Sequence, residues 1–502
     1  MATIDSGYPK GMSIEWERKF EAGPETPAPR LAGVGGVVGQ GEPVESGLDA
    51  TYFDTRDFRL ARLGITLRRR TGGDDEGWHL KLPVAPERRE EIHLPLGKKR
   101  TSVPGRLRRL VTARSAGEKL VPVAHIATTR LTSALVDADG RVLATLADDR
   151  VTAEAAGDSA ILDAWREFEV ELTEGTDPKL LDDVEKALRK LGAKPASNSS
   201  KLSRVLGDRI TAAPKRGKKN SAGSVVAEYL AAQAELLWTH DVGVRTGKDD
   251  AVHQMRVAAR RLRSALGTFR RVLDRDATKE VAAELRWLGR QLSPARDTEV
   301  LEKLLLEDVD GQRGELVMGP VKASLTAHFA REEANAREQL VEVLDSPRYL
   351  ALVRSLDRLL ANLPLTGKAR QPAKSELRRA VLRADKRLRR AESALAKAPD
   401  RGTALHEVRK KAKQARYTGE ASAPVLGKKV KAWAKGAKKI QSILGDNHDR
   451  VVAADLIRRL GVQEHLLGHN AFTYGLLHHH NTTEAARLDT DFQHAWTTRP
   501  PL

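Results

Sequence analysis

The sequence predicts an α+β protein: an antiparallel β domain of eight strands, followed by an all-α domain. Three observations predict it. Residues from Met12 to about Glu174 alternate polar and apolar in short runs, the period of half-buried strands. Beyond Ser221 long segments of Ala, Leu, Arg and Glu take over with a helical period and run to roughly Leu477. Within that second half one pattern of histidine and basic residues occurs twice.

The first strand is MSIEWERKF, residues 12–20, with Glu15, Glu17 and Lys19 on one face and Ile14, Trp16 and Phe20 on the other. Seven more runs follow: TYFDT, GITLRRR, GWHLKLP, REEIHLPL, HIATTRLTSALVD, RVLATLADDRV and AWREFEVELTEG. Asp137 to Gly140, DADG, reads as a hairpin turn, since Asp and Gly tolerate the positive φ of tight turns. Helical segments are expected at Gly105–Ser115, Pro178–Leu191 and Lys201–Leu206. The resulting division is a β domain over 12–210, a basic linker over 211–222 containing TAAPKRGKKNS, a helical domain over 223–480 and a tail over 481–502.

A chain of 502 residues exceeds what one core usually supports, in line with two domains. Its net charge of +18 points to a polyanionic partner. The absence of cysteine excludes disulfide-linked partners, thiolate metal sites and thiol nucleophiles, and fits a reducing cytoplasm. The apolar run AGVGGVVG, 32–39, is too short to span a bilayer, so no membrane partner is expected.

Along the strands the polar residues keep falling on one face: Arg68 with Arg70, His79 with Lys81, Arg89 with Glu91, Thr128 with Arg130, and Glu167, Glu169 and Glu171 together. A solvated sheet surface would do this with any one pair. Recurrence of both signs on strand after strand suggests a barrel whose charged faces line the lumen. So many charges inside must compensate one another or a ligand. A triphosphate with its metal supplies both signs: Arg and Lys donate to phosphoryl oxygens, and clustered carboxylates hold a hard cation such as Mg²⁺ or Mn²⁺.

Glu15-x-Glu17-x-Lys19 followed by YFDT, LRRR, HLK and FEVEL resembles the CYTH family of triphosphate tunnel metalloenzymes across about 195 residues. The resemblance implies an eight-stranded antiparallel tunnel with flanking helices that hydrolyses a terminal phosphoanhydride, or in some members cyclises ATP. By position, Glu15, Glu17 and Lys19 form the catalytic core. Lys19, Arg68, Arg70, Lys81, Arg89, Arg130 and Lys201 would hold phosphates, and Glu15, Glu17, Glu169, Glu171 and Asp149 would hold metal, with Glu91 close by. The acidic position of the seventh strand could equally be Asp148, because a one-residue slip reverses the face.

In the second half His253, Arg256, Arg260 and Arg263 stand at offsets that His406, Arg409, Lys413 and Arg416 reproduce, and LSPARD and LGDNHD follow the two copies. Each set forms one stripe along a helix. Residues 374–439 hold 21 Lys or Arg against 6 Asp or Glu, so most of the excess charge sits in about an eighth of the chain. This half resembles the CHAD domain over about Gly223 to Leu477. The resemblance implies two pseudo-symmetric helical bundles around a basic surface that binds inorganic polyphosphate, with those eight residues as the contacts.

A metal phosphohydrolase site at His448 and Asp449 is the rival reading; the first copy has Arg296 where His448 stands, which argues for Asp297 and Asp449 as helix caps or partners of basic residues. His478, His479 and His480 read as solvated. Nucleic acid is the second choice of polyanion, since aromatic residues to stack bases are lacking. The expectation is a cytoplasmic triphosphatase acting on inorganic triphosphate or short polyphosphate with Mg²⁺ or Mn²⁺, recruited to polyphosphate and its granules by the helical half. The alternatives are a non-catalytic polyphosphate-binding protein, or a tunnel acting on ATP or thiamine triphosphate.

Overall fold

A computed structural model describes residues 12–85, 87–97, 101–155, 161–210 and 220–502. The chain divides into two compact units, Met1–Pro214 and Lys215–Leu502. Most of the expected linker, residues 211–219, lies outside the described residues.

The first unit is a closed antiparallel barrel of eight main strands: β1 (Met12–Ala22), β3 (Val44–Asp54), β4 (Thr66–Thr71), β5 (Gly77–Ala85), β6 (Arg88–Leu94), β7 (Val121–Val136), β8 (Val142–Ala155) and β9 (Ile161–Leu172), with two-residue strands β2 (Gly39–Gln40) and β10 (Lys194–Pro195) at its margins. The order runs β1-β6-β5-β4-β3-β7-β8-β9, and β1 closes the ring by pairing twice. Its first half pairs with β6, Met12 to Trp16 opposite Ile92 to Arg88. Its second half pairs with β9, Glu17 opposite Glu171 and Lys19 opposite Glu169. The DADG segment makes the β7–β8 turn, with Gly140 at φ +76° and the Asp137 carboxylate accepting from the Asp139 and Arg141 amides.

The barrel is polar inside and apolar outside. Phe20, Phe168, Val170 and Leu146 point outward and are buried under α3 (Lys179–Lys190) with Leu180, Val184 and Leu188. On another side α4 (Lys201–Leu206) lays Leu202, Val205 and Leu206 on Ala50, Ile126, Val151 and Ala153. Short helices α1 (Gly105–Leu110) and α2 (Thr112–Ser115) fall where the sequence predicts helix. Two methods of burial thus coexist: helices dry the outer face, while the lumen keeps its charges by pairing them.

The second unit is helical: α5 (Ala222–Thr246), α6 (Ala251–Thr268), α7 (Arg275–Gln291), α8 (Ser293–Asp310), α9 (Val321–Asp345), α10 (Pro347–Ala361), α11 (Ala373–Ser393), α12 (Arg401–Leu426), α13 (Lys428–Leu466) and α14 (Phe472–Thr497). A shift of about 152 residues carries α5 onto α11, α6 onto α12 and α9 onto α14. It carries α7 and α8 together onto α13. The first copy breaks at Leu292, ahead of Ser293-Pro294, because proline cannot donate within a helix. LGDNHD has no proline, and α13 runs unbroken for 39 residues.

Residues 481–502 do not form a tail. They carry α14 on to Thr497, with Phe492, Ala495 and Trp496 buried against Trp433, Val408 and Leu444. The repeat explains it, since α14 is the counterpart of α9. Among the described residues no helix is long and apolar enough to cross a membrane.

Candidate functional site

Around the barrel, cross-strand register sets the charged side chains of the lumen opposite one another. Glu15 faces Arg89, Lys81 faces Glu91, Arg68 faces Tyr52, Arg130 faces Asp149, and Asp149 faces Glu167. They enclose a cavity of about 300 Å³ lined by Glu15, Glu17, Lys19, Arg68, Arg70, Lys81, Arg89, Arg130, Glu169, Glu171 and Lys201, together with Tyr52, Asp75, Glu91 and small hydroxyl residues. Every sequence-predicted tunnel residue except Asp149 lines it. Asp149 is fully buried behind Arg130 and Lys201.

The pairing is uneven. Arg130 donates to both oxygens of Asp149 at 2.7 Å and to Glu169 at 2.9 Å. Lys201, projecting from the first turn of α4, reaches Asp149 at 2.8 Å, Glu167 at 2.6 Å and Glu169 at 3.4 Å. Ser200 caps that helix in a capping box with Ser203, which fixes where Lys201 enters. Lys19 contacts Glu169 and lies 3.0 Å from Glu17, which Arg89 also approaches at 2.9 Å. On this side every carboxylate has a cation.

Elsewhere in the cavity the charges are left over. Lys81 contacts Glu15 and lies 3.9 Å from Glu91, while Glu171 forms no ion pair among the described residues. Burial and a hydrogen bond with Glu91 push the Glu15 carboxyl up to about 9. Burial raises Glu171 as well, and the carboxylates Glu169, Glu17 and Glu91 add to it against the pull of Lys81. Burial alone would raise Glu91 too; Lys81 and His79 hold it well below the usual carboxylate range. His79 is locked between the Glu91 carboxylate at 2.8 Å and the Asp75 carbonyl oxygen at 2.9 Å.

The arginines show the opposite excess. Arg70 is drawn down to about 10 by burial and by the positive charges of Arg68 and Arg130. The buried Nε atoms of Arg68 and Arg70 have no hydrogen-bond partner among the described residues. Arg68 donates to the Tyr52 hydroxyl, at 3.3 Å. Crowded carboxylates and crowded guanidiniums in one enclosed space are relieved together by a cation bound to a multivalent anion.

Register also settles the seventh strand's acidic position. Asp149 points inward, whereas Asp148 pairs with Arg166 at 2.7 Å on the other face. Glu167 and Tyr52 are among the lumen-facing residues outside the predicted set. Glu167 shares its face with Glu169 and Glu171, a signal present in the alternation; Tyr52 becomes visible only once β3 is paired with β4. Asp149, Glu167 and Glu169 form the one group of acidic ligand atoms among the described residues spaced closely enough for a metal ion, and the Lys201 ammonium is in contact with all three.

In the helical unit the two predicted stripes lie on α6 and α12, which pack against each other. Arg260 donates to the Tyr417 hydroxyl at 2.6 Å, and Arg261 reaches Glu420 at 2.8 Å. The guanidiniums of Arg260, Arg261 and Arg416 all sit between 5.5 and 5.7 Å from the Tyr417 ring. Lys413 is brought down to about 7 by burial, then by Arg409, Arg260 and Arg256. The two stripes therefore converge. Burial also lowers His253 and His406, each beside basic neighbours, and the buried Nε of Arg409 has no hydrogen-bond partner among the described residues. Burial lowers Arg263, as do the positive charges of Arg260 on α6 and of Arg286 and Arg290 on α7.

Asp297 and Asp449 do not cap helices. Both stand inside α8 and α13, Asp297 pairing with Arg256 at 3.1 Å and Asp449 facing Arg409. The His406 and His448 rings lie 5.9 Å apart between centres, tilted by 55°. His478 donates to the Ala454 carbonyl at 2.9 Å, and His480 lies 3.4 Å from Asp308.

Comparison with known proteins agrees with this architecture. Residues 13–205 match the family model of the CYTH domain and residues 228–458 that of the CHAD domain. The uncharacterized protein Rv2226 of Mycobacterium tuberculosis is 37% identical over 488 residues, covering 94% of both chains. Among solved structures, PptA from Streptomyces chartreusis matches with a TM-score of 0.48 and 24% identity over 55% of this chain and all of its own. The CHAD domain of the plant Ricinus communis matches with 0.46 and 23%, over 58% of this chain and 97% of its own. This chain belongs to the CYTH–CHAD family, a CYTH tunnel followed by a CHAD domain.

Proposed function

We propose that the tunnel hydrolyses the terminal phosphoanhydride of inorganic triphosphate, or of a short polyphosphate, and that the helical unit binds polyphosphate. The observation that carries the reading is one enclosed cavity of about 300 Å³ walled by four carboxylates and seven cationic side chains of the predicted set. Tyr52 turns its hydroxyl to Arg68, and no aliphatic side chain lines the cavity among the described residues, which favours a purely inorganic chain over a nucleotide or thiamine ester needing a surface for its ring.

A divalent cation, Mg²⁺ or Mn²⁺, would be held by the predicted carboxylates Glu15, Glu17, Glu169, Glu171 and Asp149: Asp149 and Glu169 already stand at metal-binding spacing with Glu167, Glu171 has no ion pair among the described residues, and the cation would take the place of contacts now made by Lys19, Arg89, Arg130 and Lys201. When bound, that cation would draw charge from the phosphoryl oxygens and orient the attacking water. Arg68, Arg70, Arg130 and Lys19, which line the cavity, hold the phosphoryl oxygens. The barrel wall excludes bulk water, so these cations act at full strength on charge developing at the terminal phosphorus. Attack by water there breaks the P–O–P bridge and releases orthophosphate.

The test is phosphate release from inorganic triphosphate, ATP and thiamine triphosphate, side by side, with Mg²⁺, Mn²⁺ and chelator. Metal-dependent release that is fastest on inorganic triphosphate, and lost in Glu15→Gln/Glu17→Gln, is the expected result. Phosphate release absent with both metals would leave the tunnel as a binding site alone.

A further inference from the structure

The first twelve residues of α13 carry six exposed lysines, Lys428, Lys429, Lys431, Lys435, Lys438 and Lys439, and none of the six forms an ion pair among the described residues. A ridge of this density repels itself unless an anion lies on it. It continues a surface already described. Lys431, Lys438 and Gly445 are spaced by seven residues, so they share one face of the helix. A side chain on Gly445 would come within 3.3 Å of the Arg409 guanidinium, and Gln441, between Lys438 and Gly445, accepts from Arg416 at 2.8 Å. The ridge therefore starts at the α12–α13 turn and runs to Arg409 and Arg416, where the α6 and α12 stripes meet and the proposed polyphosphate cleft lies. From Lys428 to Gly445 the rise is about 25 Å.

We propose that the lysine ridge of α13 is a second, outer polyphosphate-binding segment, on which the part of a chain protruding from the α6–α12 cleft is laid. This rests on the cleft being the polyphosphate site. An anionic bilayer suits the ridge poorly, because the apolar side of this helix, Val430, Trp433, Ala434, Ala437 and Ile440, is buried in the core and offers nothing to insert. Single-stranded nucleic acid would need bases stacked on aromatic rings, and the ridge has none. A thin, uniformly charged chain needs only ammonium groups in a row. Lysine supplies these as mobile point charges.

The experiment uses full-length protein carrying Glu15→Gln and Glu17→Gln, so that the tunnel does not consume the probe. Affinity is measured for two size fractions of polyphosphate: one short enough to fit within the cleft, the other long enough to reach the α12–α13 turn. Duplex DNA is the counter-probe. The long fraction should bind more tightly. Replacing Lys431, Lys435, Lys438 and Lys439 by Gln should weaken it by about tenfold or more, leave the short fraction unchanged, and flatten the salt dependence of long-chain binding. Equal weakening of both fractions, or of neither, overturns the ridge. So does duplex DNA binding the ridge more tightly than long polyphosphate. Short-chain binding that survives Arg256→Glu/Arg409→Glu overturns the cleft reading instead, which keeps the two failures apart. Unchanged melting of the lysine variant confirms that the exposed positions carry no fold.

Discussion

Lys201 Nζ lies 2.8 Å from Asp149 and 2.6 Å from Glu167, so a single buried ammonium on α4 ties that helix to β8 and β9. It stands where a metal ion would otherwise be expected among Asp149, Glu167 and Glu169. Lys201→Met removes the charge and keeps the volume. Three carboxylates then share only Arg130 and Lys19, and breaking a buried network in this way costs about 3–5 kcal/mol. The expected outcome is a large drop in the melting temperature of the first unit's transition, partly reversed when Glu167→Gln is added. A variant that melts like the parent would show that Lys201 is not the tie.

Asp148 and Asp149 are neighbours in sequence with opposite fates. Asp149→Asn should lower triphosphate hydrolysis by about a hundredfold, because Arg130 and Lys201 lose the carboxylate that aims them. Asp148→Asn breaks a bidentate, largely buried pair with Arg166 on the outer face, which costs stability, about 3–5 kcal/mol, without touching the lumen. Its activity should stay within about twofold of the parent. Steady-state rates on inorganic triphosphate separate the two.

That pair also marks the limit of what the sequence carries. Period-two alternation placed Glu15, Glu17, Lys19, Arg68, Arg70, Lys81 and Arg89 on one face, and the barrel closes with those faces inward. A run such as ADDR is polar on both faces, so alternation cannot phase it; only pairing with Arg130 does. Tyr52 was hidden for a related reason, since it matters by standing across from Arg68 on another strand. The identity of residues 481–502 was accessible in principle. The shift that relates the two histidine stripes also maps α9 onto α14, yet the helix-forming pattern weakens through HHHNTTEAARLDTDF and reads as an end.

Lys413 should make polyanion binding depend on pH. Its ammonium, brought down to about 7 by burial and the surrounding arginines, is charged below that value and neutral above it. A bound polyphosphate favours the charged form and raises the value. Affinity from this residue is therefore fully present below pH 7 and falls as pH rises above it, with one proton taken up on binding in that range. Titrations between pH 6 and 9 check it, with Lys413→Met expected to bind more weakly at pH 6 and to show a flatter profile. The stability of the free protein should move the other way. Since the folded state holds this lysine's proton less firmly than the unfolded chain does, stability from this group increases with pH above 7.

Arg256 and Arg409 are the pair whose loss should separate the two activities of the chain. Each belongs to one copy of the repeat, on α6 and α12, and each faces an aspartate of LSPARD or LGDNHD, Asp297 at 3.1 Å from Arg256 and Asp449 beside Arg409. Replacing both by Glu reverses four units of charge at the cleft and adds carboxylates to two aspartates already there. Polyphosphate affinity should fall by about a hundredfold or more, and the slope of affinity against salt should shrink by about two, one for each phosphate that is no longer neutralised. Hydrolysis of inorganic triphosphate should be unchanged, because every residue assigned to the tunnel lies in the first unit. Filter binding across a salt series, beside phosphate release from the same preparation, reads both. Parallel loss of binding and hydrolysis would mean that the helical unit takes part in the chemistry.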